Sequence, residues 1–317
     1  MLTTTVRLWG RRRLRGLWPA RTGWRVALVV AVVTVIFAAG AITVRLTAGR
    51  AQQGSGQSGS GQPAAAGSAL AAAATQRQLA AGWVARQVNP AAIVACDPVM
   101  CAALQARGVP AGRLLVLPDS RPDPLGSDVI VATQAVRSQF GARLAGVYAP
   151  VTLASFGTGP ARIDIRVVAP DGAAAYRAQL AADLAARRAG GAQLLQNRHI
   201  QVSAAARAAL AAGQVDARLL VTLPALAALH PISIVSFGGA SPGASAGVPL
   251  RSADIAGIAL PGGHQRASLA VLSAFLRAQR ATYLPSSLEI VHISPQQAVL
   301  SVGYPLPSPL GLLGSRS

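Results

Sequence analysis

One short pattern in this chain is typical of a nucleophilic enzyme. Residues 243–247 (GASAG) match the Gly-x-Ser-x-Gly turn that presents a serine between a strand and a helix. Asp254 and then His264 or His292 follow Ser245 in the order used by α/β-hydrolases. However, the pattern lies in a loop of small residues and proline, and the spacing from serine to acid leaves little room for the intervening elements. A serine hydrolase acting through Ser245 is therefore an alternative hypothesis.

Cys96 and Cys101 are the only cysteines in the sequence. The first ends a predicted strand, and the second lies in the first turn of the helix predicted to follow. Because disulfides persist in oxidising compartments, a domain outside the cytoplasm favours a disulfide between them. Two buried reduced thiols are the simpler alternative. A redox-active pair is disfavoured because the spacing is not Cys-x-x-Cys.

Two arginine–aspartate combinations are the best candidates for a binding site. They are Arg162 with Asp164 and Arg251 with Asp254. Each follows a Pro-x-x-x-x-Ser-Phe-Gly segment, at 150–157 and 231–238, and each aspartate is followed by isoleucine. A guanidinium group binds carboxylate or phosphate groups bidentately, so an anionic ligand is expected. The alternative is a local surface ion pair, which contributes only about 0–1 kcal/mol to stability.

Several other kinds of chemistry lack a sequence pattern. The four histidines have no metal-ligand spacing; they are His199, His230, His264 and His292. No glycine-rich turn fits a dinucleotide site, and the chain has no lysine for a phosphate-binding P-loop. Aromatic residues make up only 4% of the sequence, and basic segments interleaved with aromatics are absent. The sequence therefore predicts no metal, no cofactor and no nucleic-acid partner.

The longest apolar run, residues 26–44, lies between Arg25 and Arg45. As a helix it would extend about 28 Å, close to the thickness of a bilayer's hydrocarbon core. Seven arginines lie in residues 1–25, and no acidic residue precedes Asp97. Because basic residues beside a first membrane helix favour the cytoplasm, we expect a cytoplasmic segment, a single transmembrane helix and an outer domain. A cleaved signal peptide is the alternative, although its apolar region is usually about 7–15 residues.

The remaining sequence divides by composition. Residues 49–68 are rich in Gly, Ser and Gln and predict a flexible linker. Residues 69–305 alternate between helical and strand patterns, which predicts a layered α/β domain. Strands are predicted at 92–95, 114–117, 129–132, 151–156, 163–168, 219–222, 232–237, 288–293 and 298–304. Helices are predicted at 69–88, 98–107, 173–189, 203–212 and 265–281, and the tail 306–317 is predicted to be loose.

Parts of the predicted domain resemble each other. Residues 102–116 (AALQARGVPAGRLLV) align with 208–221 (AALAAGQVDARLLV), and the two Pro-x-x-x-x-Ser-Phe-Gly segments align without a gap. We therefore expect an internal duplication, with copies at about 91–168 and 200–258 and a closing helix and hairpin at 265–304. Two such lobes would face each other across a binding site. Independent convergence of strand and turn sequences is the alternative.

The functional expectation follows from location and charge. The formal net charge is +19, and the part after the apolar run is also positive. Such a charge favours association with the membrane, with anionic envelope polymers or with lipid headgroups. We expect a membrane-anchored extracytoplasmic protein of the cell envelope that binds a ligand or another envelope protein without catalysis. Besides the Ser245 hydrolase, a purely structural anchor or assembly partner remains an alternative.

Overall fold

The computed structural model describes residues 62–118, 120, 123–258, 265–294 and 297–314. The predicted cytoplasmic segment, the predicted membrane helix at 26–44 and most of the predicted linker lie outside these residues. Within the described part of the chain, no helix is both long enough and apolar enough to cross a membrane. All described residues belong to one compact unit.

The described residues have mixed α/β structure, as the sequence predicts. The helices are α1 (Gln62–Gln87), α2 (Pro98–Gln105), α3 (Gln134–Phe140), α4 (Ala173–Leu195), α5 (Ala204–Ala211), α6 (Ala217–Leu229) and α7 (Gln265–Arg277). The strands are β1 (Val94–Cys96), β2 (Leu114–Val116), β3 (Val129–Ala132), β4 (Val151–Phe156), β5 (Ile163–Val167), β6 (Ile200–Val202), β7 (Ile232–Gly238), β8 (Ser252–Gly257), β9 (Ser287–Ser294) and β10 (Gln297–Gly303).

The first sheet has the strand order β2-β1-β3-β5-β4. Strand β1 is parallel to β2 and β3, and β5 is antiparallel to β3 and β4. Every residue of β1 and β3 is buried, because helices cover both faces of these strands. Val94 and Cys96 pack against α1 and α2, whereas Ala95 packs on the opposite face with α3.

The second sheet has the strand order β6-β7-β8-β10-β9. Its only parallel pair in the described residues is β6 with β7; the other pairs are antiparallel. Leucines of α6 and α7 form its core with apolar residues of β7, β8 and β10: Leu219, Leu223, Leu226, Leu269, Leu272, Leu276, Ile232, Ile255 and Leu300. Strand β9 forms the outer edge and is largely exposed.

The two predicted copies share local units but not one topology. In each, a strand leads through an N-capping residue (Asp97 or Ser203) into a helix that ends near a glycine with positive φ (Gly108 or Gly213). The β4–β5 and β7–β8 hairpins are also alike. However, the β4–β5 hairpin lies at the edge of the first sheet, and β3 is its only neighbouring strand there. The β7–β8 hairpin has a neighbour on each side, β6 and β10. The two predicted copies therefore differ in strand order, which contradicts one shared architecture for the two lobes.

The tetrapeptide Arg-Leu-Leu-Val adopts different structures in its two occurrences. Leu114–Val116 forms strand β2, as predicted, but the strand predicted at 219–222 is wrong because these residues lie in α6. Asp216 explains the difference, since its side chain accepts a hydrogen bond from the Arg218 backbone N–H and caps α6. At the first occurrence, Pro110 and a short 3₁₀ turn precede the peptide instead.

Helix α4 continues past its predicted end at residue 189 and reaches Leu195. The predicted end rests on Gly190 and Gly191, since glycine is common just after a helix. A Cβ atom at Gly191 would lie 2.5 Å from the Leu210 carbonyl oxygen, so this glycine allows α4 and α5 to approach closely. Glycine is therefore required at position 191 by the contact between α4 and α5, and not because the helix ends there.

The C-terminal tail was expected to be loose, but the structure holds it through Gly311. Leu306 is fully buried and is bound by its backbone to the end of α1. Ser308 Oγ donates to the Asp216 carboxylate at 2.6 Å. The Gly311 N–H donates to the Asp183 carboxylate at 3.1 Å. Because buried carboxylates need hydrogen-bond donors, the tail is part of the domain.

Candidate functional site

A cleft of about 920 Å³ opens where strands β1 and β3 of the first sheet end. Strand β1 has β2 on one side and β3 on the other. Helix α2, which follows β1, and helix α3, which follows β3, pack on opposite faces of the sheet. Open α/β sheets bind ligands at such switch points, beyond the carboxyl ends of parallel strands. The polar side chains lining the cleft are Gln76, Arg77, Asp97, Thr133, Gln134, Ser138, Thr158 and Arg162.

Asp97 joins the ends of the two parallel strands. It follows β1 and caps α2, with its Oδ1 accepting a hydrogen bond from the Met100 N–H at 2.9 Å. Its Oδ2 accepts one from Thr133 Oγ1 at 2.5 Å, and Thr133 directly follows β3. Asp97 is not among the site residues predicted from the sequence, although an aspartate between a buried strand and a proline-initiated helix is a recognisable N-cap signal.

Cys96 and Cys101 lie at disulfide-bonding distance, as the sequence predicts. Their Cα atoms are 5.4 Å apart, and both residues are buried. The bond connects the last residue of β1 to the first turn of α2, and Asp97 lies within this small ring. The disulfide therefore restrains the turn that places the Asp97 carboxylate in the cleft.

The predicted pair of Arg162 and Asp164 forms. Arg162 Nε donates to Asp164 Oδ1 at 2.7 Å, and Ser155 Oγ donates to the same oxygen at 2.5 Å. Asp164 is buried, whereas about half of the Arg162 side chain is exposed. The local ion pair uses only Nε, and the terminal nitrogens of Arg162 have no partner among the described residues. Arg162 therefore keeps its bidentate face for a ligand in the cleft.

Arg137 holds together the two backbone segments that form the floor of the cleft, the end of β3 and the turn between β4 and β5. Its guanidinium group donates to the carbonyl oxygens of Ala132, Pro160 and Arg162, which joins the end of β3 to the β4–β5 turn. Burial lowers the pKa of Arg137, an effect that the nearby Asp164 carboxylate opposes. No sequence signal distinguished Arg137 from the other arginines, because its partners are backbone carbonyls from distant parts of the chain.

The second predicted pair does not form. Arg251 is buried, and its Nη1 donates to the Tyr304 carbonyl oxygen at 3.3 Å. Burial and the neighbouring Arg218 lower the pKa of Arg251. Asp254 instead accepts a hydrogen bond from Ser236 Oγ at 2.6 Å. Neither residue lines the cleft, so the two arginine–aspartate combinations occupy different environments.

Ser245 serves a structural contact. Its Oγ accepts a hydrogen bond from the Thr152 N–H at 2.9 Å, and its own N–H donates to the Thr152 carbonyl at 2.8 Å. The loop after β7 thereby pairs with the free edge of β4. Gly243, at φ +61°, permits this contact, since a Cβ atom there would lie 2.7 Å from Ser155 Cβ. No acid or histidine among the described residues hydrogen-bonds to Ser245; His264 lies outside those residues, and His292 is on exposed β9.

Groups of three or more potential metal ligands do not occur within the described part of the chain. Comparison of the sequence with protein-family models and curated proteins, and of the fold with solved structures, found no match. The chemistry of the cleft must therefore be inferred from its own residues.

Proposed function

We propose that this protein is a membrane-anchored, extracytoplasmic cell-envelope protein whose α/β domain binds an anionic ligand in the cleft without catalysis. The observation that carries this proposal is the position of Arg77 and Arg162 at the switch point of the first sheet. A concave site with a few convergent polar groups is the usual form of a small-molecule site.

The charges of the cleft favour an anion. Asp164 already balances part of the Arg162 charge, but Arg77 has no ion pair among the described residues. Among the described residues that line the cleft, Asp97 is the only acidic one. The net charge of +19 on the whole chain adds a long-range attraction that would speed association with anionic ligands at low salt.

The proposed location rests on the sequence and the disulfide. The charge-free run at residues 26–44 and the arginines before it favour a signal anchor with the domain outside. A buried disulfide next to the cleft suits an oxidising compartment. The geometry around Ser245 gives no support to a serine hydrolase.

Titration calorimetry on the full-length chain, purified in mild detergent, tests binding with succinate and glycerol 3-phosphate as probes. We expect measurable binding of at least one probe, weakened tenfold or more by Arg77→Met and by Arg162→Met, because each removes a cation from the cleft. Arg198→Met and Arg207→Met are matched controls, since both arginines are exposed and lie outside the cleft. Absence of binding, or equal binding by the cleft variants, would contradict the proposal.

A further inference from the structure

The cleft presents charged groups of both signs. Arg77 and Arg162 supply cations, and Asp97 supplies a carboxylate within the same lining. A ligand that carried only negative charge would gain from the two arginines but lie beside the like charge of Asp97, so it should bind less tightly than a ligand that also carries a cation. The complementary ligand therefore carries a cationic hydrogen-bond donor as well as an anionic group.

Asp97 is prepared to receive such a donor. Its two oxygens each accept one protein hydrogen bond, from the Met100 N–H and from Thr133 Oγ1. An ionised carboxylate has about four acceptor positions, so roughly two remain. The N-cap geometry and the flanking disulfide fix the carboxylate before a ligand arrives, which reduces the ordering cost of binding. An ammonium group, with three donors, suits these acceptors.

Arg162 is the complementary anchor. Because Asp164 occupies Nε, the two terminal nitrogens remain as a parallel pair of donors. This end of a guanidinium group matches the two oxygens of a carboxylate. Arg137 holds the backbone of Arg162 in place.

The walls of the cleft indicate the rest of the ligand. The described residues that line it include no aromatic ring on which a nucleobase would stack. Small apolar side chains of α1 and α2 form one wall: Ala69, Leu70, Ala72, Ala73 and Val99. The volume of about 920 Å³ lies near the top of the usual range of about 300–1,000 Å³ and exceeds what one amino acid needs. Gln76 and Gln134 offer amide groups that can pair with a peptide backbone.

We infer that the cleft binds a short peptide with free termini, its carboxylate on Arg162 and its ammonium group on Asp97. The inference rests on the proposed function, and it adds the second charge and the ligand class. The apolar wall favours small side chains, which makes trialanine a suitable probe.

Titration calorimetry of the full-length protein with trialanine, N-acetyl-trialanine and trialanine amide tests the inference. We expect trialanine to bind at least tenfold more tightly than either capped peptide, since each cap removes one charge. Asp97→Asn should abolish the difference between free and acetylated peptide. Arg162→Met should abolish the difference between free acid and amide.

Two features of the chain keep the test decisive. Asparagine caps helices as well as aspartate does, so Asp97→Asn is expected to fold. Should Arg162→Met fail to fold because Asp164 loses its partner, Arg77→Met on the half-exposed face of α1 replaces it and should weaken every carboxylate probe. Asp123→Asn, at an exposed turn outside the cleft, is the matched control and should leave all affinities unchanged.

The possible failures can be distinguished. Equal binding of free and acetylated trialanine would overturn the peptide inference, and the anion site would stand if succinate binding still depends on Arg77. Binding of succinate but of no peptide would have the same meaning. If neither succinate, glycerol 3-phosphate nor any peptide binds, both the inference and the proposed function are wrong.

Discussion

The two sheets contain the same strand–cap–helix unit but end it differently. Asp97 after β1 reaches Thr133 after β3, and these neighbouring strands stop together at the edge of the cleft. Ser203 after β6 instead donates to the Val235 carbonyl at 2.8 Å, because β7 continues four residues beyond its last pairing with β6. The length of the neighbouring strand thus decides whether the space beyond the capping residue is an open cleft, as after β1, or is occupied by the continuing strand, as after β6.

The matching hairpins show the same contrast. In both, a serine in the Ser-Phe-Gly segment donates to an aspartate on the paired strand: Ser155 to Asp164 and Ser236 to Asp254. Of these two aspartates, only Asp164 has arginine partners among the described residues. Similar sequence therefore builds a similar hairpin, while the surrounding elements decide its charge and exposure.

The largest predicted effect concerns the second sheet, where paired charges support the fold. Arg218 and Asp216 form a buried ion pair at 2.8 Å. Arg218→Met leaves a buried carboxylate without its cation and should lower the free energy of unfolding by about 3–5 kcal/mol. Urea denaturation measures this change. Asp97→Asn, beside the first sheet, should lower the free energy of unfolding by less than about 1 kcal/mol, because asparagine still caps α2. Equal losses of stability in the two variants would contradict the proposal that Arg218 stabilises the fold whereas Asp97 serves binding.

Removal of the disulfide should have the next largest effect. Replacing Cys96 and Cys101 together by serine opens a short loop and should lower the free energy of unfolding by about 2 kcal/mol. Trialanine binding should weaken as well, because the turn carrying Asp97 is released. Peptide mapping without reduction checks the bond itself. Two freely alkylatable thiols in protein isolated from the cell exterior would contradict it.

The Ser-Phe-Gly turns should respond unequally to alanine. Gly157 has φ +73°, and a Cβ atom there would lie 2.8 Å from Gln76 Cγ on α1. Gly157→Ala should therefore cost about 1–2 kcal/mol and disturb the wall of the cleft. The matched variant Gly238→Ala has no positive φ to maintain and meets only the Ser252 hydroxyl at 3.0 Å. Thermal denaturation of both compares the turns, and a larger loss at Gly238 would refute the asymmetry.

The smallest effect is expected at Ser245, where the second sheet's loop meets the first sheet. Ser245→Ala removes the acceptor of the Thr152 N–H and should cost about 1 kcal/mol. A fluorophosphonate probe should label neither the wild-type protein nor this variant at residue 245. Labelling that depends on Ser245 would favour the hydrolase hypothesis over the structural contact.

Much of the fold could be predicted from local sequence. Strands β3 and β4 occur at the predicted residues, and α1 ends before Asn89-Pro90 as expected. Their patterns depend on neighbouring residues, through apolar runs and the restriction before proline. One error lies where a distant contact overrides local preference, at Gly191 against Leu210. The error at 219–222 instead comes from the local cap that Asp216 provides for α6.

The candidate site was predicted only in part. Arg162, Asp164 and the two cysteines were identified from sequence, but Arg77, Asp97 and Arg137 were not. Arg251 was chosen because its neighbouring sequence resembles that of Arg162, yet it is buried beside Tyr304. Sequence similarity reproduced the hairpin and not the environment, because the environment comes from elements far away in the chain.

By itself, the sequence determined the α/β class, the disulfide and the Arg162–Asp164 pair, since each depends on residues close together in the chain. Only the tertiary structure decided the position of the cleft. Strand order brings the ends of β1 and β3 together, α1 supplies one wall, and Arg137 joins the floor. These contacts bridge long separations, where hydrogen bonding and packing between elements outweigh local propensity.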